Sequence, residues 1–152
     1  MINSYLYTIG YGNRTSIELF HLLKKYAIDR LIDVRAIPYS RFYPMFNKNR
    51  LAVDGEKVNV KYIFKGFELG AKFGNIYPSY DLLRGRPEYL EGLQYLIQQL
   101  EEGRNIAIMC CESDYHQCHR YSLIGEDMCQ LGYNVVHIDN RGELIPHEGL
   151  IL

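Results

Sequence analysis

Long apolar runs are missing from this chain of 152 residues. None approaches the roughly 20 residues of a membrane-spanning helix, so no membrane partner is expected. The opening stretch, MINSYLYTIGYG, lacks the basic start, apolar segment and small-residue cleavage site of a secretory signal, and a cytoplasmic protein is expected. Low-complexity tracts, internal repeats and linker-like compositions are also lacking, which leaves one domain over residues 1–152 as the expectation. Both nucleotide fingerprints are absent: the GYG at 10–12 lacks the third glycine of GxGxxG, and no GxxxxGK followed by Ser or Thr occurs. No cofactor is expected. The cysteines, four in all and crowded between 110 and 129, suit a local site better than a framework stapling distant loops, so no structural disulfide is expected.

What is present is ordinary for a globular protein. With 47% hydrophobic and 23% charged residues the composition excludes a disordered chain, and the length suffices for a core that needs no disulfide or metal. The net charge of −1 hides an asymmetry: residues 1–75 carry 12 Lys/Arg against 6 Asp/Glu, and residues 76–152 carry 5 against 12. Such a split gives either a basic face for phosphate or nucleic acid, or two halves that attract one another or are simply solvated.

SYLYTI (4–9) is a short β-favouring run ended by Gly10 and Gly12. Thr15 and Glu18 make a capping box ahead of Ile17, Leu19, Phe20, Leu22, Leu23 and Tyr26, apolar positions at helical spacing. RLIDV (30–34) follows as a compact strand, so strand, helix and strand form a right-handed, parallel βαβ unit. Between Arg35 and Gly85 only NVKYIF (59–64) reads as a strand, amid Pro38, Pro44, Pro78 and several glycines. A helix opens at Pro87, carries Tyr89, Leu90, Leu93, Leu96, Ile97 and Leu100, and closes at Gly103. NIAIMC (105–110) is the next strand, His119 to Leu131 the next helix, and NVVHI (134–138) the last strand. The alternation predicts an α/β fold, a single domain with a mainly parallel sheet and helices on both faces in Rossmann-like layering.

Sheets of this kind bind ligands beyond the carboxyl ends of their strands, and three unusual segments fall there: GYGNR (10–14), DVRAIPYSRFYPMFN (33–47) and CCESDYHQCHR (110–120). In the first, Gly10 and Gly12 allow close backbone approach to a ligand, and the helix behind offers free amides to an anion. A plain strand-to-helix turn is the simpler account. In the second, Arg35 and Arg41 can grip a carboxylate or phosphate while Asp33 orients one of them. Tyr39, Phe42, Tyr43 and Phe46 lie between and after these charges, as stacking on a base requires. The bland alternative makes the rings core and pairs Asp33 with Arg35 for structure. A long loop with two arginines and two prolines between buried strands favours function.

The third segment, within IMCCESDYHQCHRYSLIGE (108–126), admits three chemistries. A metal would draw on Cys110, Cys111, His116, Cys118 and His119, but these lie within ten residues of one another, with no second ligand pair elsewhere. Adjacent strand residues 110 and 111 also point to opposite faces, and no metal is assigned. A thiolate at Cys111 or Cys118 is favoured by a helix N-terminus and Arg120. Glu112 and Asp114 oppose it if they turn inward, unless Glu112 serves as a general base. Cys110 reads as a small core residue and Cys129 as part of a helical face. An anion cradle, made of the amides of 118–121 and Arg120, needs the same positive pocket and leaves the sulfurs incidental.

TIGYGN, LIDVRAIPYSRFYPMFN, Tyr62 with Leu69-Gly70, and MCCESDYHQCHRYSLIGE together resemble, in order and across nearly the whole chain, the bacterial and archaeal family catalogued as domain of unknown function 488. That family's strings run TIGHSN, DVR-x-P-x-SR-x-P-x-F and MC-x-E-x(5)-CHR. Asp33, Arg35, Pro38, Ser40, Arg41, Pro44, Phe46, Cys111, Glu112, Cys118, His119 and Arg120 fall on those motif positions. Tyr11-Gly12 stands where His-Ser is commoner, and MCCE carries one cysteine more. The resemblance implies a cluster of site residues: Asp33, Arg35, Ser40, Arg41, Phe46, His119 and Arg120 for a ligand, with Cys111, Cys118 and Glu112 for catalysis. It implies no established activity.

A more distant likeness is to rhodanese domains, through LIDVR (31–35) and the cysteine-loop-arginine-helix segment. Rhodaneses close a short loop from cysteine to arginine, whereas Cys111 to Arg120 is nine positions with extra acids, and no cysteine here has an arginine six positions later as tyrosine phosphatases require. The expected function is binding of a phosphate-bearing ligand, nucleic acid or a nucleotide, at the carboxyl edge of the sheet. A thiol-dependent enzyme of sulfurtransferase type and a non-catalytic interaction domain are the alternatives.

Overall fold

The computed structural model describes residues 4–112 and 118–148. Strands β1 (Tyr5–Gly10), β2 (Arg30–Asp33), β3 (Lys61–Phe64), β4 (Ile106–Cys110), β5 (Asn134–Ile138) and β6 (Leu144–Pro146) form one sheet in the order β3-β2-β4-β1-β5-β6. The first five are parallel, and β6 runs antiparallel to β5 at the edge. Helices α1 (Ser16–Lys25) and α2 (Lys48–Lys57) precede β3, and α3 (Gly66–Leu69), α4 (Tyr80–Arg84) and α5 (Pro87–Glu101) precede β4. A π-helix at Arg120–Gly125 continues into α6 (Glu126–Gln130). Among the described residues no helix is long and apolar enough to cross a membrane.

The capping box forms as expected: the Thr15 hydroxyl accepts from the Glu18 amide at 3.1 Å, and the Thr15 amide donates to Glu18 Oε1 at 3.3 Å. Leu19, Phe20, Leu22 and Leu23 of α1 are buried against Ile9, Leu31, Ala107 and Met109 on one face of the sheet. Tyr89, Leu93, Leu96 and Leu100 of α5, with Leu123, Ile124 and Met128 after β4, cover Leu6, Ile32, Ile106 and Ile108 on the other. The period of two along β4 sends Ile106, Ile108 and Cys110 to this second face and Ala107 and Met109 to the first. With a helical layer on each side, β4 is buried along its whole length.

Several features depart from the sequence reading, the short helices α3 and α4 among them. Helix α2 was not expected, because only Leu51 and Gly55 of its ten residues are buried; so thin an apolar stripe leaves no periodic signal. The helix expected from His119 to Leu131 is π-wound in its first part. The edge strand β6 is three residues long, too short to show an alternation.

The topology places a crevice. From the carboxyl end of β2 the chain goes on to β3 at one edge, and from that of β4 it goes to β5 beyond β1. Strands β2 and β4 are neighbours, so their outgoing segments diverge and leave the space between them open.

Candidate functional site

A cleft of about 530 Å³ occupies that space, lined by residues from after β2 (Arg35, Ile37, Tyr39, Ser40), after β4 (Cys110, Cys111, Glu112, Cys118, His119) and from the 71–80 connection (Lys72, Tyr77, Tyr80). Arg35 and Arg120 thus belong to the same end of the sheet. Of the residues singled out in the sequence, Arg35, Ser40, Cys111, Glu112, Cys118 and His119 line the cleft; Asp33, Phe46 and Arg120 are buried behind it; Arg41 is exposed outside the lining. Sequence reasoning missed Tyr11, Lys72, Tyr77 and Tyr80, which come from segments without a periodic pattern. His116 and Asp114 lie outside the described residues.

Behind the cleft, Asp33 ends β2 fully buried and turns Arg35 back on itself. Its Oδ1 accepts from the Arg35 amide at 3.0 Å and from Nε at 2.9 Å, and its Oδ2 accepts from Nη2 at 2.7 Å. The Tyr62 hydroxyl donates to Oδ2 at 2.5 Å, and Arg35 Nη2 also donates to the Phe46 carbonyl at 2.8 Å. The guanidinium lies over the Tyr11 ring, itself stacked on Phe46 at 4.2 Å between centroids. Burial works against the Arg35 charge, but the hydrogen bonds and charge of Asp33 outweigh it, and the pKa stands above the ordinary arginine value. The Tyr62 hydroxyl is pushed up by burial and by the Asp33 carboxylate, and stays protonated. Most of the Arg35 donors are therefore spent on the protein itself.

Across the cleft, the loop after β4 is zipped to the loop after β1. The ladder continues as the Tyr11 amide donates to the Cys110 carbonyl at 3.1 Å and the Gly12 amide to the Cys111 carbonyl at 2.8 Å. Gly10 makes this approach possible: a Cβ there would stand 1.6 Å from the Glu112 carbonyl oxygen and 2.6 Å from Arg120 Nη1. Arg120, fully buried, donates through Nη1 to Cys110 Sγ at 2.9 Å and to the Glu112 carbonyl at 2.6 Å.

The sulfurs of Cys110 and Cys118 meet in the cleft wall. They are joined as a disulfide between residues eight apart, a correction to the expectation of none: the fold, not the spacing in the sequence, brings the two sulfurs together. Cys110, expected as a core residue, does join the apolar cluster, and it also holds Arg120 and Cys118. His119 Nε2 lies 3.1 Å from the Val34 carbonyl, and its Nδ1 lies 3.5 Å from Cys118 Sγ. A carbonyl only accepts, so Nε2 carries a proton. Burial lowers the His119 pKa against the pull of the Val34 and Leu69 backbone, with Arg120 lowering it further. The ring is then neutral near pH 7, with its Nδ1 turned toward Cys118 Sγ. Cys111 is exposed as a residue, yet burial of its sulfur first and the Glu112 carboxylate second push its thiol up, against Arg35 and Arg120. Among the described residues no cluster of three or more His, Cys, Asp or Glu could hold a metal ion.

The family model described as domain of unknown function DUF488 matches residues 16–125, well over half of the chain, and the protein belongs to that family. The comparisons carry no likeness to rhodanese domains. Neither the curated proteins nor the solved structures yield a match.

Proposed function

We propose, from the sulfur geometry at the motif of a family whose activity is open, that the cleft performs thiol-dependent sulfur transfer. The observation that carries this reading is the position of Cys118 Sγ, against Cys110 Sγ and 3.5 Å from His119 Nδ1, while Arg120 Nη1 donates to Cys110 Sγ at 2.9 Å. When the pair is reduced, the buried guanidinium favours negative charge on the sulfur it touches. Cys118 is the more exposed of the two, 7% against 2%, and serves as nucleophile.

The chemistry balances as follows. His119 Nδ1 takes the Cys118 proton, and the thiolate attacks the outer sulfur of a persulfide R–S–SH, expelling R–S⁻, which takes the proton from His119. Cys118 then carries the sulfur as its own persulfide. Cys110 thiolate attacks Cys118 Sγ and expels hydrosulfide, and the two cysteines are left oxidised as a disulfide. A low-molecular-weight thiol supplies the two electrons that reopen the pair.

A second reading keeps the phosphate-bearing ligand, a nucleotide or nucleic acid. Lys72 at the cleft and the exposed Arg41 favour it. The self-pairing of Arg35 and the burial of Arg120 against Cys110 and Glu112 give it less support than the thiol reading. To test sulfur transfer, the reduced protein is mixed with a small organic persulfide and analysed by intact mass and peptide mapping. A mass gain of one sulfur atom on Cys118, with hydrosulfide release that disappears in Cys110→Ser, is expected. Sulfur appearing on Cys111 alone, or on no cysteine, would overturn the proposal.

A further inference from the structure

The cleft does not end at the sulfurs. A second hollow of about 450 Å³, lined by Asn13, Arg14, Tyr43 and Phe46, shares Tyr11, Cys111 and Glu112 with the first. The two together make a trough across the carboxyl edge, from Tyr77 and Lys72 at one end, past the cysteines, to Tyr43 at the other. Its rim is aromatic and open: Tyr39 is 56% exposed, Tyr43 56% and Tyr77 72%, with Phe42 beside them at 81%. Isolated exposed apolar residues are ordinary, but rings gathered along one trough are a binding feature.

Along the segment that carries Tyr39, Phe42 and Tyr43 the charge has one sign. Residues 34–53 contain Arg35, Arg41, Lys48 and Arg50 and no acid. Arg41 sits between Tyr39 and Tyr43 in a turn closed by the Tyr43 amide donating to Ser40 Oγ at 3.1 Å, and Lys72 lies over the Tyr77 ring at 5.3 Å. Among the described residues the ion pairs formed by Lys and Arg of residues 1–75 are with acids of that same half, while Asp139 of the acidic half acts on the charge of Arg14. We infer that the trough is a path for single-stranded nucleic acid, with bases stacked on Tyr39, Tyr43 and Tyr77 and phosphates along Arg41 and Lys72. A duplex cannot use these rings, because its bases are already stacked on one another. Among the described residues shared by the two hollows, Glu112 is acidic; it keeps phosphates outward and can accept from the exocyclic amine of an inward base. The inference rests on the thiol reading for what happens at the sulfurs, but not for binding.

The test is fluorescence anisotropy with a dye-labelled 12-nucleotide single strand, a duplex of the same length and an acidic peptide, over a salt series. The single strand is expected to bind most tightly, with a log–log salt slope of about −1.4 or steeper, two phosphates at about 0.7 each. Tyr39→Ala and Tyr77→Ala, both at exposed positions, are each expected to weaken binding by about 5- to 150-fold, the value of one stacked base. No binding at low salt, undiminished binding in both variants, or tighter binding of the duplex or the peptide would each overturn the inference. Sulfur loading of Cys118, measured on the same protein, separates its failure from that of the thiol reading.

Discussion

Asp33 is the residue on which the cleft's shape most depends. Its carboxylate takes three hydrogen bonds from Arg35 and one from Tyr62, with Asp33 fully buried and Arg35 nearly so. Removing it leaves a guanidinium buried without its partner, the costly way to break such a pair. Asp33→Ala is expected to lose about 3–5 kcal/mol in urea unfolding, and the double variant Asp33→Ala/Arg35→Met to regain part of that. A loss below about 1 kcal/mol, the scale of a surface pair, would contradict a structural role for the pair. The sequence offers both uses of Arg35, ligand grip and structural partner, and its spacing cannot choose between them. The choice is made by Phe46, 11 residues from Arg35, and Tyr62, 29 residues from Asp33, whose arrival only the fold determines. Cys110 was hidden for a similar reason: strand alternation marks it as core, and nothing local shows that Arg120 and Cys118 converge on it.

At the scale of elements, the π-helix joins the site to the rest of the molecule. Its first residue holds Cys110, and its last, Gly125, packs where an added Cβ would stand 2.7 Å from the Arg120 carbonyl and 3.2 Å from His147 Nδ1. That imidazole is fixed between His137 and Glu126 at 2.9 Å each, so it has little room to yield. Gly125→Ala is expected to cost about 1–3 kcal/mol as an overpacked core position. Gly85→Ala, with a negative φ and nearest contacts of 3.6 Å, is expected to stay within about 0.5 kcal/mol; equal melting of the two variants would contradict the close packing. Elements with a full apolar stripe or a capping box, such as α1 and α5, were legible in the sequence, as were β1, β2, β4 and β5. In the 35–85 stretch β3 was legible but the helices were not, because α2, α3 and α4 are short or bury few side chains, and their positions are set by contacts distant in sequence. A π-turn differs from an α-turn by one residue of register, which an apolar period does not resolve.

For the whole molecule, the strand order decides what the site is made of. Neighbouring β2 and β4 send their outgoing segments apart, so a loop rich in arginine and tyrosine meets a loop rich in cysteine across a cleft that neither could form alone. The claim that follows is that the fold makes Cys118 an activated thiol, and it is tested most directly by alkylation of the reduced protein over a pH series, with each cysteine followed by mass mapping. Cys118 is expected to react first, with an apparent pKa below the free-thiol value of about 8.5 that rises in Cys110→Ser, while Cys111 reacts with a raised pKa as burial and Glu112 dictate. Fastest reaction at Cys111, or a Cys118 that titrates at or above about 8.5, would contradict it.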